Sequence, residues 1–435
     1  MKKIYEFDFI YKFLCWYCEW QFRGSYRRIQ YAGKENLPDD GAFIYAPNHC
    51  NALMDALAVL FIDGHHKVFV ARADIFKKPL LKKALTRLKI MPIHRIRDGF
   101  RNVLNTEQAI DKSVEVLNNG TPFCILPEGT HRPMHSLLPL GKGISRIAVG
   151  AVKGLGEGKH LYIIPVGLEY GDYYRYRSTL AVNIGKPLDI TEYIAAHPEE
   201  AEAELLNDIR TMTGDAIRDQ IVWIPDDEDY TAAWELCKLE SSPISEYQPL
   251  KRLEANRAAA ARITALRESD PVKARRLFDK ATAFRQARQE AKVSDHAVRA
   301  KRPLGAAIWR TIVSLVMLPF GLACCAISLP GWAGAQALAS TAKDRSFHNS
   351  LRFGVILLIW KPLLLIASIV LMCTVSWYWG LAALLLAAPA ATLTFQWFEE
   401  LRRLASSWRY AFNGRLRRQK EDLMNEWNDW KESKK

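Results

Sequence analysis

Residues 47–55 read PNHCNALMD and residues 126–132 read LPEGTHR, and these two blocks hold the side chains best suited to chemistry. His49 offers an imidazole base, and Asp55, six positions on, offers a carboxylate to orient it. A carboxylate against one ring nitrogen fixes the tautomer and stabilises the imidazolium formed when the other nitrogen takes a proton. No serine accompanies the pair, so the nucleophile is supplied by a substrate hydroxyl. Cys50 is the alternative nucleophile, but adjacent residues seldom bring their side chains within the hydrogen-bond reach that a nucleophile and its base require. The plainest alternative is that His49 and Asp55 only cap and solvate a helix start. In the second block a strand ends in a turn at Gly129 that gathers the Glu128 carboxylate, the Thr130 hydroxyl and the Arg132 cation, a set suited to a polyol or a phosphate. Upstream, MPIHRIR places Arg95 and Arg97 at a strand end, where a guanidinium fork matches two phosphate oxygens. Each of these turn residues taken alone is more often an ordinary surface group.

The elements that must position them alternate in type. Apolar runs at 42–46, 67–71, 123–126 and 161–168 predict strands, and residues 51–62 carry a helical pattern with Asn51 as N-cap and Ala52 as first helical residue. Strands separated by helices, with Gly and Pro at the joins, predict an α/β domain over residues 31–225.

A chain of 435 residues exceeds one domain, and its net charge of +13 favours an anionic partner. Residues 311–342 and 362–398 carry no charge at all, and each exceeds the roughly 20 apolar residues that span a bilayer. The chain therefore reads as a membrane protein, with C-terminal hydrophobic membrane helices over 303–398. Residues 1–30 are aromatic but interrupted by Glu6, Asp8, Lys12 and Glu19, unlike a cleaved signal. They predict a helix either at the headgroup level or packed on the catalytic domain. Residues 226–302 form a charged helical connector of solvated helices with no sustained apolar heptad, its basic excess either facing solvent or touching anionic lipid. The lone CxxC at Cys15 and Cys18 is weak evidence for metal or redox work. The connector lacks the interleaved aromatics of a nucleic-acid module, so no nucleic-acid partner is expected. Residues 399–435 begin with seven basic residues before any further acid beyond Glu400, so the tail and the catalytic domain are expected on the cytoplasmic side, with an even number of crossings. Two spans within 353–398, turning at SWYWG, and a re-entrant loop at 311–342 would satisfy that count.

With these residues in view, the chain resembles the glycerolipid acyltransferases of the glycerol-phosphate and lysophosphatidate type over about residues 30–190. The resemblance rests on YAGKENLP, APNHCNALMD, IMPIHR, LPEGTHR with LLPLGKG, IIPVGL and IGKPL, in that order. It implies an α/β acyltransferase domain with His49 as general base and Asp55 as its partner. It also implies Arg95 as a phosphate contact, Glu128, Gly129 and Thr130 with Arg132 at the acceptor, and Pro165 in the acyl-binding wall. The donor would be an acyl thioester of coenzyme A or acyl carrier protein, with no cofactor and no metal. Five residues rather than the usual four separate His49 from Asp55. Together with His131, Arg132, the LLPL segment and KDRSFHNSLRF at 343–353, this is similar to the fungal-type branch that acylates glycerol 3-phosphate or dihydroxyacetone phosphate. Lysophosphatidate is the alternative acceptor, and a non-catalytic membrane lipid-binding or scaffold protein the alternative of another class.

Overall fold

Residues 161–170, LYIIPVGLEY, are almost wholly buried, as a strand with neighbours on both sides and cover on both faces must be. This strand is the antiparallel-to-parallel pivot of the sheet in a computed structural model that describes residues 3–6, 8–93 and 103–432. The strands are β1 (Tyr26–Ala32), β2 (Ala42–Pro47), β3 (Val68–Arg72), β4 (Ile90–Ile93), β5 (Phe123–Cys124), β6 (Leu161–Tyr170), β7 (Ser178–Ile184) and β8 (Leu188–Asp189). Their order is β1-β7-β6-β2-β5-β3-β4, with β8 also on β6. The pairs β2–β6, β2–β5, β5–β3 and β3–β4 are parallel, and β7 and β8 run antiparallel to β6.

The chain divides into two compact units: Met1–Arg23, Arg28–Tyr174 and Leu180–Ile221 form one, and Gly24–Arg27, Arg175–Thr179 and Val222–Lys435 the other. Helices of the first are α1 (Phe9–Ser25, completed by two residues of the second), α2 (Leu53–Leu60), α3 (Pro79–Arg87), α4 (Val103–Asn118), α5 (Gly143–Gly154), α6 (Ile190–Ala196) and α7 (Glu202–Arg218). Ala42, Ile44 and Ala46 alternate along β2 and share a core with Leu161 and Ile163 of β6. The α5 residues Ile144, Ile147, Ala148 and Ala151 close it at helical spacing. Tyr45, between them in sequence, takes the other face, where its hydroxyl donates to Asp63. Lys67, also buried, donates to the same carboxylate at 2.5 Å. Gly33, in the YAGKENLP block, has φ 76°, and a Cβ there would lie 1.9 Å from the Ile184 carbonyl oxygen, so no other residue fits. Along α1 both sequence expectations find a face: Tyr11 and Phe22 are buried, while Phe9, Phe13, Trp16 and Trp20 form an exposed stripe at i, i+4, i+7 and i+11.

The second unit is helical: α8 (Tyr230–Glu240), α9 (Pro249–Ser269), α10 (Pro271–Glu290), α11 (Asp295–Val298), α12 (Pro303–Val316), α13 (Leu318–Thr341), α14 (His348–Val355), α15 (Lys361–Thr374), α16 (Trp377–Phe412) and α17 (Gly414–Glu432). Residues 226–302 are not a string of solvated helices, because α9 packs on α8 and α10, and α10 packs on α17. The seam on α9 is Pro249, Leu253, Asn256, Ala260, Ile263 and Leu266, and it escapes a search for large apolar heptads because Asn and Ala fill two of its positions. Charges of the connector also pair internally. Arg288 grips Glu235 through two bonds of 3.0 Å, both side chains buried. The expected re-entrant loop is instead the continuous helix α13, since Pro330 and Gly331 lie within it without breaking it. Leu318–Thr341 and Arg345–Thr374 are each long and apolar enough to cross a membrane, and the chain turns at Val375 and Ser376 before α16.

The C-terminal helix is part of this fold rather than a free basic tail. Trp427 is fully buried and donates its indole N–H to Glu240 at 2.9 Å, while Lys431 reaches the same carboxylate at 2.8 Å. Trp427→Ala is expected to cost about 3–5 kcal/mol through the cavity and the lost hydrogen bond. It should lower the unfolding midpoint of the helical unit, followed by circular dichroism; an unchanged midpoint would mean that α17 is not held by this contact.

Candidate active site

The two chemical blocks meet because β2 and β5 are parallel neighbours, with Ile44 opposite Phe123 and Tyr45 opposite Cys124. Both strands therefore leave the sheet at the same edge, the carboxyl end, where α/β proteins place their ligands. Asn48 holds the first exit in place: its side-chain N–H donates to the Leu168 carbonyl at 3.2 Å, and its Oδ1 accepts from the Leu168 N–H at 2.7 Å.

His49 and Asp55 come together. The ring Nδ1–H donates to Asp55 Oδ2 at 2.8 Å, which leaves Nε2 as the nitrogen able to accept a proton. The imidazole is partly accessible, at 15 % of its side-chain surface, whereas Asp55 is sealed at 0 %. The carboxylate also accepts from the backbone N–H of Cys50 at 2.8 Å and of Asn51 at 2.6 Å, and from the Tyr170 hydroxyl at 2.7 Å. Burying a carboxylate is tolerable only with such partners. This corrects the expected cap. Asn51 does not cap α2; Ala52 occupies the N-cap position with φ 45° and ψ −123°, without a side-chain cap bond, and the helix begins at Leu53. Asp55, from inside the first turn, reaches back to the amides that a cap residue would otherwise serve. The positive φ of Ala52 is an uncommon state for a residue with a Cβ and lies where the chain folds those amides onto Asp55.

Glu128 ties the blocks to each other. Its Oε1 accepts from the His49 backbone N–H at 2.6 Å and its Oε2 from the Leu138 N–H at 2.9 Å, and the Arg132 N–H donates to the His49 carbonyl at 3.0 Å. Burial pushes the Glu128 carboxyl up to about 7, against the lowering effect of those two amides. Gly129 stands at the exposed turn with φ 64°, Thr130 follows half-buried, and the His131 ring meets the His49 ring edge-on at 5.4 Å. The Arg132 guanidinium donates to Ser136 at 2.8 Å. Pro165 is buried in β6 opposite Ala46, two residues before the His49 loop's neighbour. Arg95, with Arg97, lies outside the described residues. Cys50 is buried, and its thiol is held well above the usual range by burial and by the nearby Asp55, Glu169 and Glu128 charges, so it does not offer a thiolate.

Three contributions escape sequence reading. Tyr170 donates to Asp55 across 115 positions, Asn48 clamps β6, and His135 forms a second imidazole–carboxylate pair with Glu169 at 3.2 Å, its ring also within 3.2 Å of the Tyr173 hydroxyl. The only signal for Tyr170 is that it closes the strand containing IIPVGL.

A carboxyl raised by folding stabilises the folded state fully below its unfolded value near 4.5, and that contribution is lost as pH rises through about 7. Glu128 should thus remove stability on the order of 3 kcal/mol across that window. In Glu128→Gln the pH slope of denaturant unfolding between these values should flatten, although the amide, facing two N–H donors, costs about 1–3 kcal/mol at every pH. A slope equal to the parent's would assign the titration elsewhere.

With this geometry in place, comparison with known proteins gives a consistent direction. Residues 28–169 match the family model described as Acyltransferase. An uncharacterized acyltransferase of Schizosaccharomyces pombe is 30 % identical over 115 residues, a stretch covering 26 % of this chain and only 17 % of that protein's length. The crystal structure of the 1-acyl-sn-glycerophosphate (LPA) acyltransferase PlsC from Thermotoga maritima aligns over 48 % of this chain and 79 % of its own, at 21 % identity and a TM-score of 0.34. The segment that carries His49, Asp55 and Glu128 is an acyltransferase-family domain.

Proposed function

We propose that this chain is a membrane-bound O-acyltransferase of glycerolipid synthesis. It moves an acyl group from the thioester of coenzyme A or acyl carrier protein to a hydroxyl of glycerol 3-phosphate or dihydroxyacetone phosphate. The observation that carries the reading is the 2.8 Å bond from His49 Nδ1 to a buried Asp55 already held by two amides and a tyrosine. His49 Nε2 takes the acceptor's hydroxyl proton as the oxygen attacks the thioester carbonyl. The tetrahedral intermediate collapses with cleavage of the C–S bond, and the leaving thiolate recovers the proton from the imidazolium. Asp55 stays ionised and holds the ring in the productive tautomer. Arg95 is assigned to the acceptor phosphate, and Glu128, Gly129, Thr130 and Arg132 to the acceptor turn, in which Glu128 fixes the backbone of His49. Pro165 is assigned to the acyl wall. Lysophosphatidate is the alternative acceptor, suggested by the same site with a second acyl chain to house.

Membranes containing His49→Ala, offered labelled acyl-CoA with glycerol 3-phosphate, dihydroxyacetone phosphate and lysophosphatidate in parallel, should lose turnover at least about 10²–10⁴-fold. Arg95→Ala should chiefly raise the KM for the phosphorylated acceptor. Retained turnover in His49→Ala would exclude the base, and the preferred acceptor of the parent chain identifies the branch.

The proposed membrane arrangement follows from packing within the helical unit. Helix α17, after the last apolar segment, packs on α10, before the first, so both stand on one side and the chain crosses an even number of times. Leu318–Thr341 and Arg345–Thr374 are assigned as the two crossings, with the catalytic domain and the C-terminal helix cytoplasmic. The aromatic stripe of α1 suits the headgroup level. A protease site inserted between Lys343 and Arg345 should be protected from the cytoplasmic face and cut from the opposite one; cutting from the cytoplasmic face would refute the two crossings.

A further inference from the structure

A groove of about 500 Å³ runs between α12, α13 and α16 in the helical unit, remote in sequence from every residue of the His49 site. On α12 its lining steps through Ala306, Trp309, Val313 and Met317, a single stripe at helical spacing, and Phe320 and Leu393 extend it. Such a volume is typical of a site for one small ligand, and its walls are mostly apolar with a few polar groups.

Those polar groups are not scattered. Arg310, Gln396 and Glu400 also line the groove, and Arg310 donates to Glu400 Oε2 at 2.7 Å. Because α12 and α16 run past each other here, Met317 and Leu393 lie about two helical turns beyond that ion pair, roughly 10 Å along the axis. The groove thus has one charged end and one apolar end. The charged end belongs to a larger partly buried cluster. Glu400 also binds Arg27 at 2.9 Å, Glu246 binds Arg403 at 2.7 Å and Arg27 at 3.3 Å, and Glu399 binds Arg403 and Arg175, each at 3.2 Å. These ion pairs join four guanidiniums to three carboxylates. In a place of low dielectric an excess cation is costly, and one further negative charge would offset it.

We propose that this groove binds one long-chain carboxylate, with its tail between α12, α13 and α16 and its head at Arg310. A fatty carboxylate matches both halves of the site: one flexible apolar chain for one apolar channel, and a single negative charge for a single excess guanidinium. A neutral lipid supplies the tail without the charge. The aromatic rings of Trp309 and Trp397 stand in the walls as reporters.

The test uses the purified full-length chain in a neutral detergent, titrated with dibromostearate, a heavy-atom quencher of tryptophan. Quenching should saturate, be reversed by plain stearate, and lose amplitude in the Trp309→Phe, Trp397→Phe double variant. The methyl ester of the brominated acid should bind at least ten-fold more weakly, and Ser314→Phe, which fills the groove, should abolish the saturable component. Equal quenching by acid and ester in the unaltered chain would reduce the groove to a lipid-facing surface and overturn the proposal, whatever the folding of the variants. Saturable quenching that survives Ser314→Phe would place the carboxylate elsewhere. Tighter binding of lysophosphatidate than of stearate would overturn the carboxylate assignment.

Discussion

The site is organised around one buried carboxylate. Asp55 has no contact with solvent, yet it accepts from the His49 ring, two consecutive backbone amides and the Tyr170 hydroxyl. Removing any donor leaves the remaining charge less well compensated in a medium that screens poorly. That constraint fixes the position of α2, whose first turn carries Asp55, relative to the loop that carries His49 and the strand end that carries Tyr170. The unusual backbone of Ala52 is the local consequence, because only a sharp fold of the chain brings the Cys50 and Asn51 amides onto a side chain that follows them.

The sheet supplies the second level of organisation. Parallel pairing of β2 and β5 delivers the two chemical blocks to one edge, and Glu128 then locks them together through the backbone of His49 rather than through its ring. This separates two roles that look alike in sequence. Asp55 acts on the imidazole, whereas Glu128 acts on the chain that presents it. The raised carboxyl of Glu128 is the cost of placing an acid where its two acceptor oxygens face only amides.

The helical unit is held by different physics. Its seams combine small and polar residues with scattered large ones, and its charges are largely consumed by one another, as in Arg288 with Glu235 and Arg403 with Glu246. A composition that reads as a solvated, basic connector thereby hides a core whose largest member, Trp427, comes from the last helix of the chain.

By itself, the order and spacing of short blocks determined the acid–base pair, the acceptor turn, four central strands and the apolar segments, because each of these rests on local chemistry: a histidine near a carboxylate, a glycine at a positive φ, an uncharged run. Tertiary structure alone decided the rest. It gave the helix start to Asp55 rather than Asn51, recruited Tyr170 and Asn48, and set His135 against Glu169. It also made α13 one continuous helix and returned α17 to the connector. Each of these depends on which groups remain unpaired once distant segments are brought together, and a buried charge or amide takes its partner from whatever the fold places within about 3 Å, not from its neighbours in sequence.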